Sequence, residues 1–247
     1  MKKAALIVAV EMKAVFSLWG KPEKVYENLP FKACSYCRNG RQIFVIRSGP
    51  GQLAAAAAAQ MAVSLFGAAE LWNFGVAGGL VPAMQTGDVC VVSGVIHYDT
   101  DVDRGLIPVA ETLPEKEIRL LQINDESELW TEEGTDARAP ETGGLIRIHT
   151  GITAASGDRV VARPDRRIEL AQHTGAQVVE MEGAAVALTA ARNGVPCYMV
   201  KGISDDLDTP DDELTAAFVR ASERTLRVMD ALMIKKDEWN GGKEEKE

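Results

Sequence analysis

Short apolar runs rich in β-branched residues alternate along the chain with longer stretches in which apolar side chains recur every three or four positions. The runs at residues 4–10, 42–48, 70–76, 88–95, 145–154, 177–181 and 197–203 read as strands, most of them ending in Gly, Ser or an acidic residue. Residues 52–66, 164–173, 183–193 and 210–234 read as helices. In the last of these, Thr209 is placed to cap, Pro210 suits the first helical position, and Asp211 and Asp212 suit the positive end of the dipole. Leu214, Phe218, Ala221, Thr225, Val228 and Leu232 then mark one buried face. Strands that alternate with helices form crossovers into a largely parallel sheet, so the expected fold is α/β in a single domain over residues 1–235.

Residues 124–144 break this pattern with a polar excursion that has too few apolar positions for a core element, and residues 236–247 read as a charged, frayed tail. The apolar run after Lys2 and Lys3 is stopped at once by Glu11 and Lys13, which suits a first strand and not a leader. Residues 53–69 are almost uncharged but are mostly alanine, interrupted by Gln60, Ser64 and Gly67, which suits a buried small-residue helix and not a membrane span. With 36 acidic against 27 basic residues the formal charge is -9, so the chain offers no global positive field for nucleic acid or anionic lipid. Four cysteines in 247 residues form no disulfide framework, and a cytoplasmic setting is expected.

Chemical motifs differ in weight. Cys34 and Cys37 have redox or zinc spacing, but no second pair or neighbouring histidine completes a site, and no metal is expected. Two glycine turns, Ser48-Gly49-Pro50-Gly51 and Gly75-Val76-Ala77-Gly78-Gly79, follow strands without forming a dinucleotide or phosphate-loop fingerprint. The acidic signals are stronger. Glu180-Met181-Glu182 closes one strand with two carboxylates on one face, and Ser204-Asp205 closes the next, where ligands of open α/β sheets bind.

Together with Ala9-Val10-Glu11, His97-Tyr98-Asp99 and Ser156-Gly157-Asp158, these segments resemble, in order, the nucleoside phosphorylase and nucleosidase superfamily. The likeness is greatest to its 5′-methylthioadenosine/S-adenosylhomocysteine nucleosidase branch. The resemblance implies one α/β domain whose central mixed, twisted sheet curls into a partial barrel flanked by helices. It also implies a homodimer, a purine nucleoside as substrate and no cofactor. Residue by residue, it assigns Glu182 to the ribose hydroxyls, Met181 to packing on the sugar, and Asp205, oriented by Ser204, to protonation of the leaving base. Val160 and Val161 line the base, where relatives often carry an aromatic side chain at the position of Val160. Gly75 and Val76 form the site wall, where many relatives have a hydroxyl residue in place of Val76.

The resemblance also exposes departures. The water-activating glutamate of the hydrolytic branch falls by register on Lys13, with Glu11 the nearest carboxylate, and Lys201 stands where an arginine is common. Phosphorolysis needs phosphate donors, but the relevant positions hold Val8, Ala9, Val10 and Asn73, leaving only Lys13 and Arg47 to supply charge. Hydrolysis of an N-glycosidic bond is the expected activity. A phosphorylase using an anion site at Lys13, or a nucleoside-binding protein without turnover, are the alternatives.

Overall fold

A computed structural model describes residues 1–100, 105–109, 113–119, 121–123 and 145–244. The elements run β1 (Lys2–Val8), α1 (Met12–Trp19), β2 (Lys24–Tyr26), β3 (Lys32–Arg38), β4 (Arg41–Arg47), α2 (Gln52–Phe66), β5 (Glu70–Gly79), β6 (Val89–His97), β7 (Ile107–Pro108), α3 (Glu115–Arg119), β8 (Ile148–Ser156), α4 (Pro164–Thr174), β9 (Val178–Glu180), α5 (Gly183–Asn193), β10 (Cys197–Asp205) and α6 (Leu214–Glu244). The polar excursion at 124–144 lies outside the described residues.

The ten strands among the described residues belong to one mixed sheet. β1 pairs in parallel with β4 and β5, and β5 in parallel with β10. The path from β10 through β6, β8 and β9 returns to β5, so these five strands close into a barrel, while β1, β4, β3 and β2 extend from it as an open wing. The α/β fold with a partial barrel is therefore present.

Two apolar layers cover the sheet. Ala55, Ala58, Ala59, Ala62 and Phe66 form the buried stripe of α2, at the i, i+3, i+4 and i+7 spacing of one helix face, and meet Ala184, Val186, Ala187 and Ala190 of α5. Small side chains let these helices approach the sheet closely. The other layer joins Met12, Val15 and Trp19 of α1 to Leu226, Val228, Met229, Leu232 and Met233 of α6.

The structure corrects several expectations. Thr209 does not cap the final helix: its hydroxyl donates to Asp206 Oδ1 at 2.8 Å, and a 3-10 turn at Asp211–Glu213 precedes α6. That helix does not stop before the charged tail but runs to Glu244. Lys236 is buried on Glu70, which also takes Arg41, and Arg41 reaches Asp237 at 2.5 Å. Charges that look solvated in sequence thus clasp the starting edge of the sheet. Cys34 and Cys37 lie on β3, where a spacing of three puts them on opposite faces; Cys34 is buried and Cys37 exposed. Among the described residues no helix is long and apolar enough to cross a membrane.

Candidate active site

A cleft of about 430 Å³ opens at the far edge of the sheet, over the ends of β1, β5, β9 and β10. Its lining includes Glu11, Val76, Val160, Val161, Met181, Glu182, Ser204 and Asp205, so one site collects residues that are up to 194 positions apart in sequence.

Glu182 immediately precedes α5 and accepts the Gly51 N–H at 2.8 Å. Gly51 has φ 97°, and a Cβ there would lie 2.8 Å from Asp158 Oδ1, so only glycine brings this N–H to the carboxylate. Gln52, the first residue of α2, is buried and spans the gap between segments: its side chain donates to Ser156 Oγ at 2.8 Å and to the Met181 carbonyl at 2.9 Å, and accepts the Ala185 N–H at 2.8 Å. Two helix N-termini are thereby locked beside Glu182.

Lys201 lies at the centre of the acidic residues. It is 1% exposed, with Nζ 2.9 Å from Glu180 and 4.0 Å from Glu182. Burial alone would push the Glu180 carboxyl up, but the Lys201 ammonium, Ser156 and the Glu182 N–H hold it below the usual carboxylate range. Glu182 moves the other way, up to about 7, because burial and the neighbouring Glu180 and Glu11 charges outweigh the attraction of Lys201 and the Gly51 N–H. Lys201 is itself held above its ordinary value by the carboxylates, against the effect of burial. One strand-borne ammonium therefore balances two neighbouring acids, Glu180 and Glu182, whose carboxyls are moved in opposite directions.

Glu11 is buried at the start of α1, its Oε2 accepting the N–H groups of Ala9 at 3.0 Å and Val10 at 2.9 Å. A Cβ on Gly75 would stand 2.8 Å from Glu11 Oε1. Gly75 thus makes room for this carboxylate and is not among the residues lining the cleft. Lys13, expected at the position of the catalytic base, is not brought into the cleft either. It sits exposed on the first turn of α1 and, with Arg47, lines a separate cavity.

Asp205 ends β10 after a register shift between Ile203 and Asp205 against β5, a bulge that re-aims the strand end. Ser204 Oγ donates to Asp205 Oδ1 at 2.5 Å, and Arg167 of α4 pairs with Oδ2. Arg167 is a residue that the sequence did not disclose. It is buried, and it also donates to the carbonyls of Val161 at 2.8 Å and Asp206 at 3.0 Å, tying the segment around Val161 to the end of β10. Val160 is 81% exposed, so it leaves its end of the cleft open.

The family model of the phosphorylase superfamily matches residues 20–234. The chain belongs to the phosphorylase superfamily. It is 31% identical over 214 residues to a 5′-methylthioadenosine/S-adenosylhomocysteine nucleosidase of Treponema pallidum, covering 77% of this chain and 79% of that protein. It is also 29% identical over 189 residues to an aminodeoxyfutalosine nucleosidase of Helicobacter pylori, covering 76% and 77%. A solved 5′-methylthioadenosine/S-adenosylhomocysteine nucleosidase of Neisseria meningitidis superposes with a TM-score of 0.77 at 24% identity, covering 95% of this chain and 100% of that one.

Proposed function

We propose that the protein hydrolyses the N-glycosidic bond of a purine nucleoside of the 5′-methylthioadenosine or S-adenosylhomocysteine type. The observation that carries this reading is the convergence of Glu182, Asp205 and Glu11 on one cleft. Glu182, ionised, accepts hydrogen bonds from the ribose hydroxyls, which strengthen as the sugar becomes an oxocarbenium ion. As the bond from the anomeric carbon to the base breaks, its electron pair goes to the base, and Asp205 delivers a proton there. Ser204 and Arg167 support the carboxylate that remains. A water adds to the anomeric carbon and gives its proton to Glu11.

Water is favoured over phosphate as the nucleophile by where the cations are spent. Arg167 is committed to Asp205 and backbone carbonyls and Lys201 to Glu180 and Glu182, and Lys13 and Arg47 line the other cavity, so among the described residues of the cleft lining only Arg159 is left to a phosphate, which needs several donors. A cytoplasmic homodimer belongs to the same proposal, and sedimentation velocity tests the assembly. The activity is tested by chromatography of products from methylthioadenosine, adenosylhomocysteine, adenosine and inosine, with and without phosphate. Free base without phosphate, lost in Asp205→Asn, is the expected result. Base release only with phosphate, or ligand binding without cleavage, would overturn it.

A further inference from the structure

A hollow of about 730 Å³, larger than the cleft, shares Arg159, Val160 and Val161 with it. Resting on the hydrolase reading, we infer that this hollow receives a substituent on the exocyclic nitrogen at C6 of the purine, and that the protein selects nucleosides whose N6 arm is apolar and ends in an anion.

The direction follows from the acid that serves the base. As the glycosidic bond to N9 breaks, its electron pair is delocalised to N7, the other nitrogen of the five-membered ring, and Asp205 delivers its proton there. N7 and the amino group at C6 lie on one edge of adenine, so an N6 arm leaves the base beside Asp205. Arg167 fixes what stands next to that edge, because its one guanidinium pairs with Asp205 Oδ2 and donates to the Val161 carbonyl at 2.8 Å. Val161 borders both hollows, and Val160, exposed between them, is too little packed to seal one from the other.

The lining matches such an arm. Tyr98, Val161 and Leu170 pack on a buried apolar cluster and give the hollow an apolar floor. Around it stand Arg159, Arg163 and Arg166, with Glu169 the one carboxylate among the described lining residues, in a chain whose net charge is -9. Arg163 and Arg166 meet Asp165 and Glu169, each at 2.6 Å, and flank the N-terminus of α4, the end of a helix that favours anions. Arg159 is different. Its guanidinium makes no hydrogen bond or ion pair among the described residues, while its backbone is held by the Tyr98 hydroxyl, which donates to its carbonyl at 3.1 Å. A cation anchored where two hollows meet, above an apolar floor, is placed to receive an anion carried past it from the base.

The test uses 5′-methylthioadenosine, its N6-butyl derivative and its N6-(3-carboxypropyl) derivative, the last two differing mainly in the terminal charge. The readout is the ratio of kcat/KM for the carboxylate to kcat/KM for the butyl compound within each protein, so that a general loss cancels. The wild type should cleave both and favour the carboxylate by about tenfold, the scale of one charge-assisted hydrogen bond. In Arg159→Gln the ratio should fall by at least about threefold, and Arg159→Lys, which keeps the charge, should retain most of it. A wild-type ratio near one, a ratio unchanged in Arg159→Gln, or cleavage of methylthioadenosine with neither derivative accepted overturns the assignment while leaving the hydrolase reading intact. Cleavage of none of the three overturns both.

Discussion

Replacing Lys201 with methionine removes the one ammonium from a buried group of acids while keeping an unbranched side chain of similar length. Lys201 and Glu180 both have side chains 1% exposed and meet at 2.9 Å, so the variant leaves a buried carboxylate without its counter-ion, held only by Ser156 and the N–H groups of Glu182 and Gly183. Breaking one side of such a pair costs about 3–5 kcal/mol. The cost must depend on pH. Without Lys201, burial raises the folded-state value of Glu180 above its ordinary 4.5. The folded variant then binds a proton that the unfolded chain releases, so this group's stabilising contribution is complete below about 4.5 and is lost as pH rises through the raised value. Between pH 8 and pH 5.5 the deficit relative to wild type should shrink by up to roughly 3 kcal/mol for that one proton. Urea titrations at both pH values, followed by tryptophan fluorescence, measure the difference. A deficit that is the same at both, or below about 1 kcal/mol at pH 8, would refute the view that Lys201 is the counter-ion of this site. Lys201→Arg should retain most of the stability, because the charge remains.

Further predictions concern the neighbouring groups. Because Glu182 is held near 7 and must be ionised to accept the ribose hydroxyls, kcat/KM should climb with pH and level off above about 7; Glu182→Gln should lose that bend along with at least about a hundredfold of rate, as steady-state profiles will show. Arg167→Met should lower kcat/KM by on the order of tenfold to a hundredfold, and a double-mutant cycle with Asp205→Asn should show a coupling above about 1 kcal/mol; additive effects would separate the two residues. Gly75→Ala should displace the Glu11 carboxylate and reduce kcat by on the order of tenfold with little change in KM, and unchanged kcat would remove Glu11 from the mechanism.

Much of the scaffold was legible because burial writes itself as periodicity. α2 and α5 fall on the residues expected from their apolar spacing, and each barrel strand overlaps an apolar run. What escaped lacks such a signal. β3, Lys32–Arg38, mixes Ser, Cys and charged ends, and gains its place only by pairing with β4. α1 is too short for its period to show beside the preceding strand. α4 reads as a solvated polar helix, and nothing local distinguishes Arg167, which turns inward, from Arg163 and Arg166, which pair on the surface. Lys201 did carry a clue: a lone lysine inside the apolar run of β10 demands buried carboxylates, and Glu180-Met181-Glu182 supplies them. Likewise the acids at strand ends disclosed the site, whereas the displacement of Lys13 to a different cavity follows from the turn of α1, which sequence register ignores.

The clasp of Arg41, Glu70, Lys236 and Asp237 sits where the strands begin, and the acids around Lys201 where they end. Since Lys201 pairs with Gly75 on β5, about five residues beyond Glu70, the two ionic centres stand roughly 16 Å apart along one strand. At that separation their energetic effects add. Swapping the clasp for well-packed apolar side chains of similar volume, a change often neutral or stabilising for buried ions, would raise the tolerance of the whole scaffold. The protein can therefore be engineered from one edge of its sheet to withstand damaging substitutions at the other, making the chemistry accessible to variants that the native chain could not fold.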